Sequence, residues 1–291
     1  MNTEKKAYIL AAFAILFWST VASAFKIGLK ELNPIQLLCF SSIFSLIIFL
    51  IFIVTTKKIY LLRGYSKKEI LSNLAMGALN PFLYYLILFK AYSLLPAQEA
   101  LTLNYTWALA VALLSIPILK QKISILTLTG LLISFFGVII IATKGRFNLE
   151  FSNTLGVVLA LSSSLVWASY WTINTRNKID GIIGLFLNFC SGTALILIYL
   201  LIFDEMPQYS TISLLSCVYI GTFEMGVTFV LWSAAMKVAR NAATLSSYVY
   251  LSPFLSLFFI SIVIGEKILL SSLAGLCFII AGIFISRYRR K

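Results

Sequence analysis

The sequence predicts an all-α membrane protein with ten transmembrane helices, arranged as two inverted five-helix repeats. Of its 291 residues, 60% are hydrophobic and 11% are charged, whereas soluble domains are about half apolar and a quarter charged. Its mean hydropathy is +0.98. The chain also contains ten apolar runs, and the same features recur in the same order in its two halves. These observations leave no stretch polar enough for a soluble domain.

Each apolar run has about the 20 residues that a helix needs to cross a bilayer. Short polar connections separate most runs, although the third, fourth and fifth are nearly continuous. The start of the chain also resembles a signal peptide, because Ala22-Ser23-Ala24 could form a cleavage site. We favour a first helix, because Trp18 inside it has a counterpart, Trp167, in the sixth run. The predicted spans are 7–25, 35–55, 70–91, 97–119, 123–142, 154–175, 182–203, 212–236, 241–264 and 268–286.

The basic residues predict the orientation of these helices. If the N-terminus is cytoplasmic, 17 of the 23 Lys and Arg residues fall on the cytoplasmic side and 6 on the other side. Cytoplasmic segments of membrane proteins are enriched in Lys and Arg. We therefore expect both termini in the cytoplasm and the chain in the cytoplasmic (inner) membrane. The net charge of +13 then reflects orientation, and no nucleic-acid partner is expected.

Few residues offer catalytic or metal-binding chemistry. The chain has no histidine and four cysteines, which lie far apart within apolar runs and show no CxxC spacing, so buried free thiols are expected. We expect no metal, no cofactor and no enzymatic activity. A phosphate-binding loop of the GxxxxGK type is also missing from the sequence, which argues against an ATP-driven pump within this chain.

The two halves, 1–146 and 147–291, share a common order of features. Phe89–Leu101 aligns with Ser233–Leu245, and at the same offset Asn80 aligns with Glu224. An odd number of helices per repeat forces the second copy to enter the membrane from the opposite side, which gives inverted repeats. Glycines align as well: Gly77 with Gly221 and, after a shift of one residue, Gly130 with Gly275 and Gly137 with Gly282. The glycines of the fifth and tenth runs would permit close helix packing, either within the bundle or at a homodimer interface.

These residues resemble the drug/metabolite transporter superfamily, in its EamA-like branch of ten-helix carriers. The resemblance covers nearly the whole chain, and the first half departs from the pattern where Lys120-Gln121 replaces the Gly265-Glu266 of the second. It implies transport of amino acids, drugs, nucleotide-like or other metabolites without selecting among them. It rests on Phe17-Trp18-Ser19, the stretches 91–101 and 235–245, Pro253, Gly265-Glu266 and the glycines of the fifth and tenth runs.

Glu224 is an acid deep inside an apolar run, where an ionised carboxylate costs roughly 2.5–3.5 kcal/mol or more. Such a group is kept where water, a partner or a substrate compensates it. Helical spacing groups other polar and aromatic residues with it, and we predict a central cavity that binds a small-molecule substrate. Each residue also has a structural alternative, as a packing contact or an interfacial anchor. The predicted substrate-binding residues are Glu224, Asn80, Tyr84, Trp18, Trp167, Tyr170, Thr228, Tyr105 and Tyr248.

The function favoured by this pattern is secondary transport of an amino-acid-like, aromatic or cationic metabolite by alternating access. Glu224 would attract a substrate amine, or carry a coupling proton because desolvation favours the neutral carboxyl group. The expected partners are the substrate, membrane lipid and a coupling proton, with a homodimer as one explanation of the glycines. The alternatives are a channel or a structural scaffold, and a membrane-embedded enzyme is the weakest of them.

Overall fold

Within the residues described here, 3–95, 97–143, 145, 153–204, 210–264 and 270–287, the computed structural model contains a short 3₁₀ helix, Ile59–Gly64, and ten apolar helices. Each corresponds to one predicted span, so the predicted fold class is confirmed. Seven are long and apolar enough to cross a membrane, and shorter apolar helices occupy the remaining three spans. The helices are α1 (Thr3–Gly28), α2 (Pro34–Thr55), α3 (Lys67–Leu94), α4 (Ala97–Asn104 and Trp107–Leu119), α5 (Ile125–Ala142), α6 (Thr154–Thr175), α7 (Gly181–Phe203), α8 (Thr211–Val238), α9 (Ala242–Ser247, Tyr248–Tyr250 and Leu251–Ile264) and α10 (Leu270–Arg287).

Two of these helices, α3 and α8, carry a π-helical turn near their middle. The turn spans Ala78–Leu83 in α3 and Ile220–Gly226 in α8. Asn80 and Glu224, which the sequence aligns with each other, each lie within one of them. A π turn inserts one extra residue into the helix and is frequent at functional sites. The interruption of regular helix therefore falls at equivalent positions in the two halves.

The packing of the helices follows the same internal equivalence. Helix α1 packs along the second part of α8, and its counterpart α6 packs along the second part of α3. Helix α2 contacts the π turn of α8, while α7 contacts the π turn of α3. Helix α4 packs on α6 and, equivalently, α9 packs on α1. Equivalent helices also pack on each other, α2 on α7 and α5 on α10. Helices of each half therefore pack on helices of the other half in equivalent ways, which is the arrangement expected of two inverted repeats. The predicted boundary between the repeats, at 146/147, lies outside the described residues.

Glycines bring α5 and α10 into close contact. A Cβ atom on Gly137 would lie 2.5 Å from the carbonyl oxygen of Gly275, and one on Gly130 would meet the backbone of Gly282. The pair crosses in antiparallel fashion, since the earlier glycine of α5 meets the later glycine of α10. Of the two explanations that the sequence allowed for these glycines, the structure uses them for packing within one chain.

Polar contacts join α2 and α7 at both of their ends. At one end Lys58 Nζ lies 2.7 Å from Asp180 Oδ2, and Asp180 also caps α7 by accepting from the backbone N–H of Ile182. At the other end Asn33 Nδ2 donates to Asp204 Oδ2 over 2.6 Å. Burial opposes the ionisation of Asp180, but the Lys58 ammonium and the capping N–H groups hold the pKa of Asp180 below its ordinary value.

Replacing Gly137 by leucine should prevent the close approach of α5 and α10. Overpacking of this kind costs roughly 1–3 kcal/mol, because backbone atoms of α10 cannot move aside as a flexible side chain would. Gly64→Leu is the matched control, since no described residue beyond its neighbours along the chain has an atom within 4 Å of a Cβ at that position. Thermal unfolding in detergent should show a lower Tm for Gly137→Leu alone; equal Tm values would contradict the packing described.

Asp180→Asn should destabilise the protein in a pH-dependent manner. Asparagine keeps the helix cap and loses the charge, so the expected loss near neutral pH is about 0.5–1 kcal/mol for this partly exposed pair. Because folding lowers the pKa of Asp180, the carboxylate stabilises the protein above its unfolded pKa of about 4. That stabilisation disappears as the pH falls through the lower folded-state pKa.

The measurement is Tm against pH for the wild type and Asp180→Asn, with Lys58→Gln and the double variant as controls. In the Lys58→Gln background the asparagine substitution should have a smaller effect, because the partner charge is already missing. If the difference in Tm between the wild type and Asp180→Asn stays constant as the pH falls into the acid range, the lost charge is not the cause of that difference.

Candidate functional site

The site is centred on Glu224, in the π turn of α8. Its side chain is buried, with 5% of the residue's surface exposed. The Tyr85 hydroxyl on α3 donates to Glu224 Oε1 over 2.9 Å. The second carboxylate oxygen, Oε2, is buried and has no hydrogen-bond partner within the described part of the chain. One acceptor of this carboxyl group is therefore available to a ligand.

All five tryptophans of the chain lie in one cluster next to this carboxyl group. Trp18 on α1 is central to the cluster, with its ring centroid 5.2 Å from that of Trp232, 6.1 Å from Trp167 and 6.3 Å from Trp107. Trp171 joins through Trp167 at 5.6 Å. Aromatic rings at these separations attract one another through edge-to-face and offset contacts. The cluster therefore joins α1, α4, α6 and α8 at the middle of the bundle.

The Glu224 carboxyl group and part of the tryptophan cluster line a small cavity, the central cavity. Its volume is about 30 Å³, close to the space that one water molecule occupies in the liquid. This volume is far smaller than the several hundred Å³ of an ordinary small-molecule site, so a metabolite does not fit in it as it stands. The described residues that line it are Trp18, Val21, Phe25, Tyr84, Leu88, Tyr92, Leu101, Asn104, Tyr105, Trp107, Trp167 and Glu224.

A chain of hydrogen bonds orients the polar groups on the cavity wall. The Tyr84 hydroxyl donates to Asn104 Oδ1 over 3.4 Å, and Asn104 Nδ2 donates to Ser163 Oγ over 3.0 Å. These bonds join α3, α4 and α6, and the Tyr84 ring stacks on Trp167 at 4.1 Å. These contacts hold the polar side chains of the cavity wall in fixed positions around Glu224.

A second polar group lies at the π turn of α3. Asn80 is fully buried, its backbone there is non-helical (φ −147°, ψ 121°), and its amide lies beside the Tyr170 hydroxyl without a well-formed hydrogen bond. Tyr170 in turn hydrogen-bonds the Asn188 amide on α7 over 2.8 Å. Asn80 thus occupies the position equivalent to Glu224, with an uncharged side chain and without lining the central cavity.

The structure brings together five of the nine predicted site residues at the cavity: Glu224, Trp18, Tyr84, Tyr105 and Trp167. Asn80 and Tyr170 lie in the second polar group. The Thr228 hydroxyl donates to the Phe223 carbonyl of its own helix, at the end of the π turn. Tyr248 lies elsewhere, with its ring 5.1 Å from that of Tyr8.

Tyr8 lines a larger cavity at the N-terminal end of α1, the terminal cavity. Its volume is about 680 Å³, and the residues around it come from the ends of α1, α5, α9 and α10. An ion pair between Arg240 and Glu4, with 3.5 Å between the charged atoms, lies at this cavity. The predicted residue Tyr248 therefore belongs to the surroundings of the terminal cavity and not to the central one.

Tyr85 is the important residue that the sequence prediction missed. Counting in steps of three and four from Gly77 and Asn80 selects Tyr84. The π turn, however, adds one residue to the helix, and each residue corresponds to a rotation of about 100° around the helix axis. The side chains after the turn are therefore rotated by about that angle. Tyr85 then points at Glu224. The adjacent pair Tyr84-Tyr85, which begins three residues after Pro81 in a membrane span, was the available signal.

The sequence model of the EamA-like transporter family matches this chain twice, over residues 5–143 and 154–288. These two matches cover nearly all of the chain. The chain belongs to the EamA-like transporter family. As an EamA protein, it is an integral, multi-pass membrane protein of a transporter family, which agrees with its apolar helices.

Similar EamA proteins occur in bacteria and archaea. "Uncharacterized transporter YoaV" of Bacillus subtilis is 26% identical over 95% of this chain and 96% of its own length. An "Uncharacterized transporter" of Clostridium kluyveri is 27% identical over 99% of this chain and 94% of its own length. A solved crystal structure that is 20% identical superposes with a TM-score of 0.81, covering 98% of this chain and 97% of that one, and supports the fold.

In this EamA protein, Tyr85→Phe and Glu224→Gln should not have independent effects on stability. Each removes one partner of the same buried hydrogen bond, so the double variant should be about 1 kcal/mol or more away from additivity. Tyr92→Phe is the matched control, because Tyr92 lines the cavity without being the residue that donates to Glu224. Chemical unfolding of the four proteins of each cycle measures this coupling, and an additive Tyr85 cycle would contradict the bond.

Proposed function

We propose that this chain is a secondary transporter that moves a small amino-acid-like, aromatic or cationic metabolite across the cytoplasmic membrane by alternating access. The observation that carries the proposal is the Glu224 carboxyl group, with one oxygen that has no partner among the described residues, in a small aromatic cavity at the middle of the bundle. A binding site near mid-depth, between inverted repeats, is the arrangement that rocking between two faces requires.

The two cavities support alternating access. The central cavity of about 30 Å³ is closed to a metabolite, and the terminal cavity of about 680 Å³ lies at the end of α1 that we propose to face the cytoplasm. A channel would instead need a continuous polar path past the tryptophan cluster. Opening of the cluster toward one face at a time would admit substrate and release it on the other side.

The frame for this motion would be the two pairs that cross between the halves. Helix α5 is held against α10 by glycines, and α2 is joined to α7 by polar contacts at both ends. Rigid pairs of this kind favour movement of α1, α3, α4, α6, α8 and α9 around them. The cavity-lining residues all belong to α1, α3, α4, α6 and α8.

Glu224 would also carry the coupling proton. An ionised carboxylate in this interior is costly unless a cation compensates it, so a proton and a substrate would alternate at one group. The polar groups facing it are the hydroxyls of Tyr84, Tyr85, Tyr92 and Tyr105, from α3 and α4. Among the described residues that line the cavity, Glu224 is the only charged one, and Lys26 lies at the outer end of α1, where it donates to the carbonyl oxygens of Tyr92 and Leu95.

The test is uptake of a metabolite panel into proteoliposomes under an imposed pH gradient. Wild-type protein should accumulate at least one solute with saturation kinetics, and Glu224→Gln should lower gradient-driven accumulation by about tenfold or more. Glu69→Gln is the matched control, because Glu69 caps α3 in an exposed position and its replacement keeps the hydrogen-bonding shape.

Three results would contradict the proposal in different ways. Flux that fails to saturate would indicate a channel, and undetectable flux of every solute would indicate a scaffold. Equal, pH-driven accumulation by Glu224→Gln and wild type would leave transport intact and remove Glu224 as the carrier of the proton.

A further inference from the structure

We propose that the central cavity binds an organic amine that carries at least one N–H and no carboxylate, and that it selects against zwitterionic amino acids and quaternary ammonium ions. This inference rests on the proposed function only in taking the central cavity as the transport site. It narrows the three substrate classes of that proposal to one, and it follows from the hydrogen-bonding groups that the cavity offers.

The first step concerns the free acceptor. Glu224 Oε1 already accepts from Tyr85, while Oε2 is buried and unpartnered. A protonated primary, secondary or tertiary amine can donate an N–H to Oε2, which gives a charge-assisted hydrogen bond in addition to the ionic attraction. A quaternary ammonium ion has no N–H to donate, and Oε2 would remain unsatisfied beside it.

The second step concerns the walls. Rings of Trp18, Tyr84, Trp107 and Trp167 line the cavity next to Glu224. The face of an aromatic ring attracts a cation, most strongly for tryptophan and more strongly where water is excluded. The walls therefore favour a cationic group over a neutral one, and an apolar or aromatic body attached to it would pack against the same rings.

The third step concerns the missing partner for a carboxylate. Among the described residues that line the cavity, Glu224 is the only charged one. Lys26, at the outer end of α1, donates to the carbonyl oxygens of Tyr92 at 2.8 Å and Leu95 at 3.0 Å, where it satisfies the end of α3. Its ammonium group is therefore engaged at a helix end.

The other hydrogen-bond donors in the wall are neutral. The indole N–H of Trp18 is buried and has no hydrogen-bond partner among the described residues, and Tyr92 and Trp107, which also line the cavity, carry a neutral O–H and N–H. Neutral donors of this kind satisfy a hydroxyl, ether or carbonyl oxygen of a ligand, but they carry no positive charge to compensate a buried carboxylate. A second negative charge would also lie close to Glu224. The cavity therefore disfavours the carboxylate of an amino acid.

The test is binding of four matched probes to the purified full chain in detergent, without any gradient. Phenethylamine carries the N–H cation, phenylalanine adds a carboxylate, trimethyl(phenethyl)ammonium removes the N–H, and 2-phenylethanol removes the charge. Phenethylamine should bind about tenfold or more tighter than each of the other three, because each of them leaves a buried polar group unsatisfied. Glu224→Gln should abolish this preference, and Glu69→Gln should retain it.

Several results would overturn the inference. Binding of phenylalanine as tight as that of phenethylamine, or tighter, would indicate a site for zwitterions. If the Lys26→Gln variant then no longer binds phenylalanine, Lys26 is the partner of the carboxylate. Equal binding of the trimethyl compound would show that an N–H is not needed, and equal binding of 2-phenylethanol would show that charge is not recognised. If none of the four binds with a Kd below about 10 mM, the cavity does not recognise this class.

The wild-type panel decides the question even if Glu224→Gln fails to fold. Failure of the inference is also distinct from failure of the proposed function. If phenethylamine binds as expected but shows no flux in proteoliposomes, the binding site stands and transport fails. If amino acids are carried under a pH gradient while amines are not, transport stands and the inference fails.

Discussion

The candidate site depends on one physical constraint: the carboxyl group of Glu224 is buried in an interior that water cannot easily reach. Tyr85 satisfies one of its oxygens and leaves the other unpartnered. A buried polar group without a partner costs free energy, so a proton or a cationic ligand has a thermodynamic reason to bind there. The surrounding aromatic rings provide a low-polarity wall with a favourable interaction for a positive charge.

The internal equivalence of the two halves explains why this group lies where it does. A π turn interrupts α3 and α8 at equivalent positions, and one turn carries Asn80 where the other carries Glu224. The helix pairs that form the frame are symmetric, because α2 packs on α7 and α5 packs on α10. The side chains at the two π turns are not, because one turn carries an amide and the other a carboxyl group. In the transport cycle that we propose, a symmetric frame would let the bundle open toward either face, and a single carboxyl group would serve one binding site for both.

The sequence predicted the helices, and several of its candidate site residues line one cavity in the structure, for clear physical reasons. Apolar runs report directly on membrane spans, and the cost of a buried acid singled out Glu224. Trp18 and Trp167 were found through their equivalent positions. Tyr85 was missed because regular helical spacing does not hold across a π turn. The structure places Tyr248 beside Tyr8 and not among the described residues that line the central cavity, and a short 3₁₀ turn at Tyr248–Tyr250 interrupts the regular helical spacing of α9 there.

The most direct test of a ligand-accessible Glu224 is its modification by a hydrophobic carbodiimide, which reacts with a protonated carboxyl group and is read by peptide mass spectrometry. The account predicts modification of Glu224 that falls steeply when a saturating amine is present and is unchanged by the corresponding neutral alcohol. Modification at Glu224 that no amine suppresses would contradict the central claim, because a ligand that binds at Oε2 must shield that oxygen.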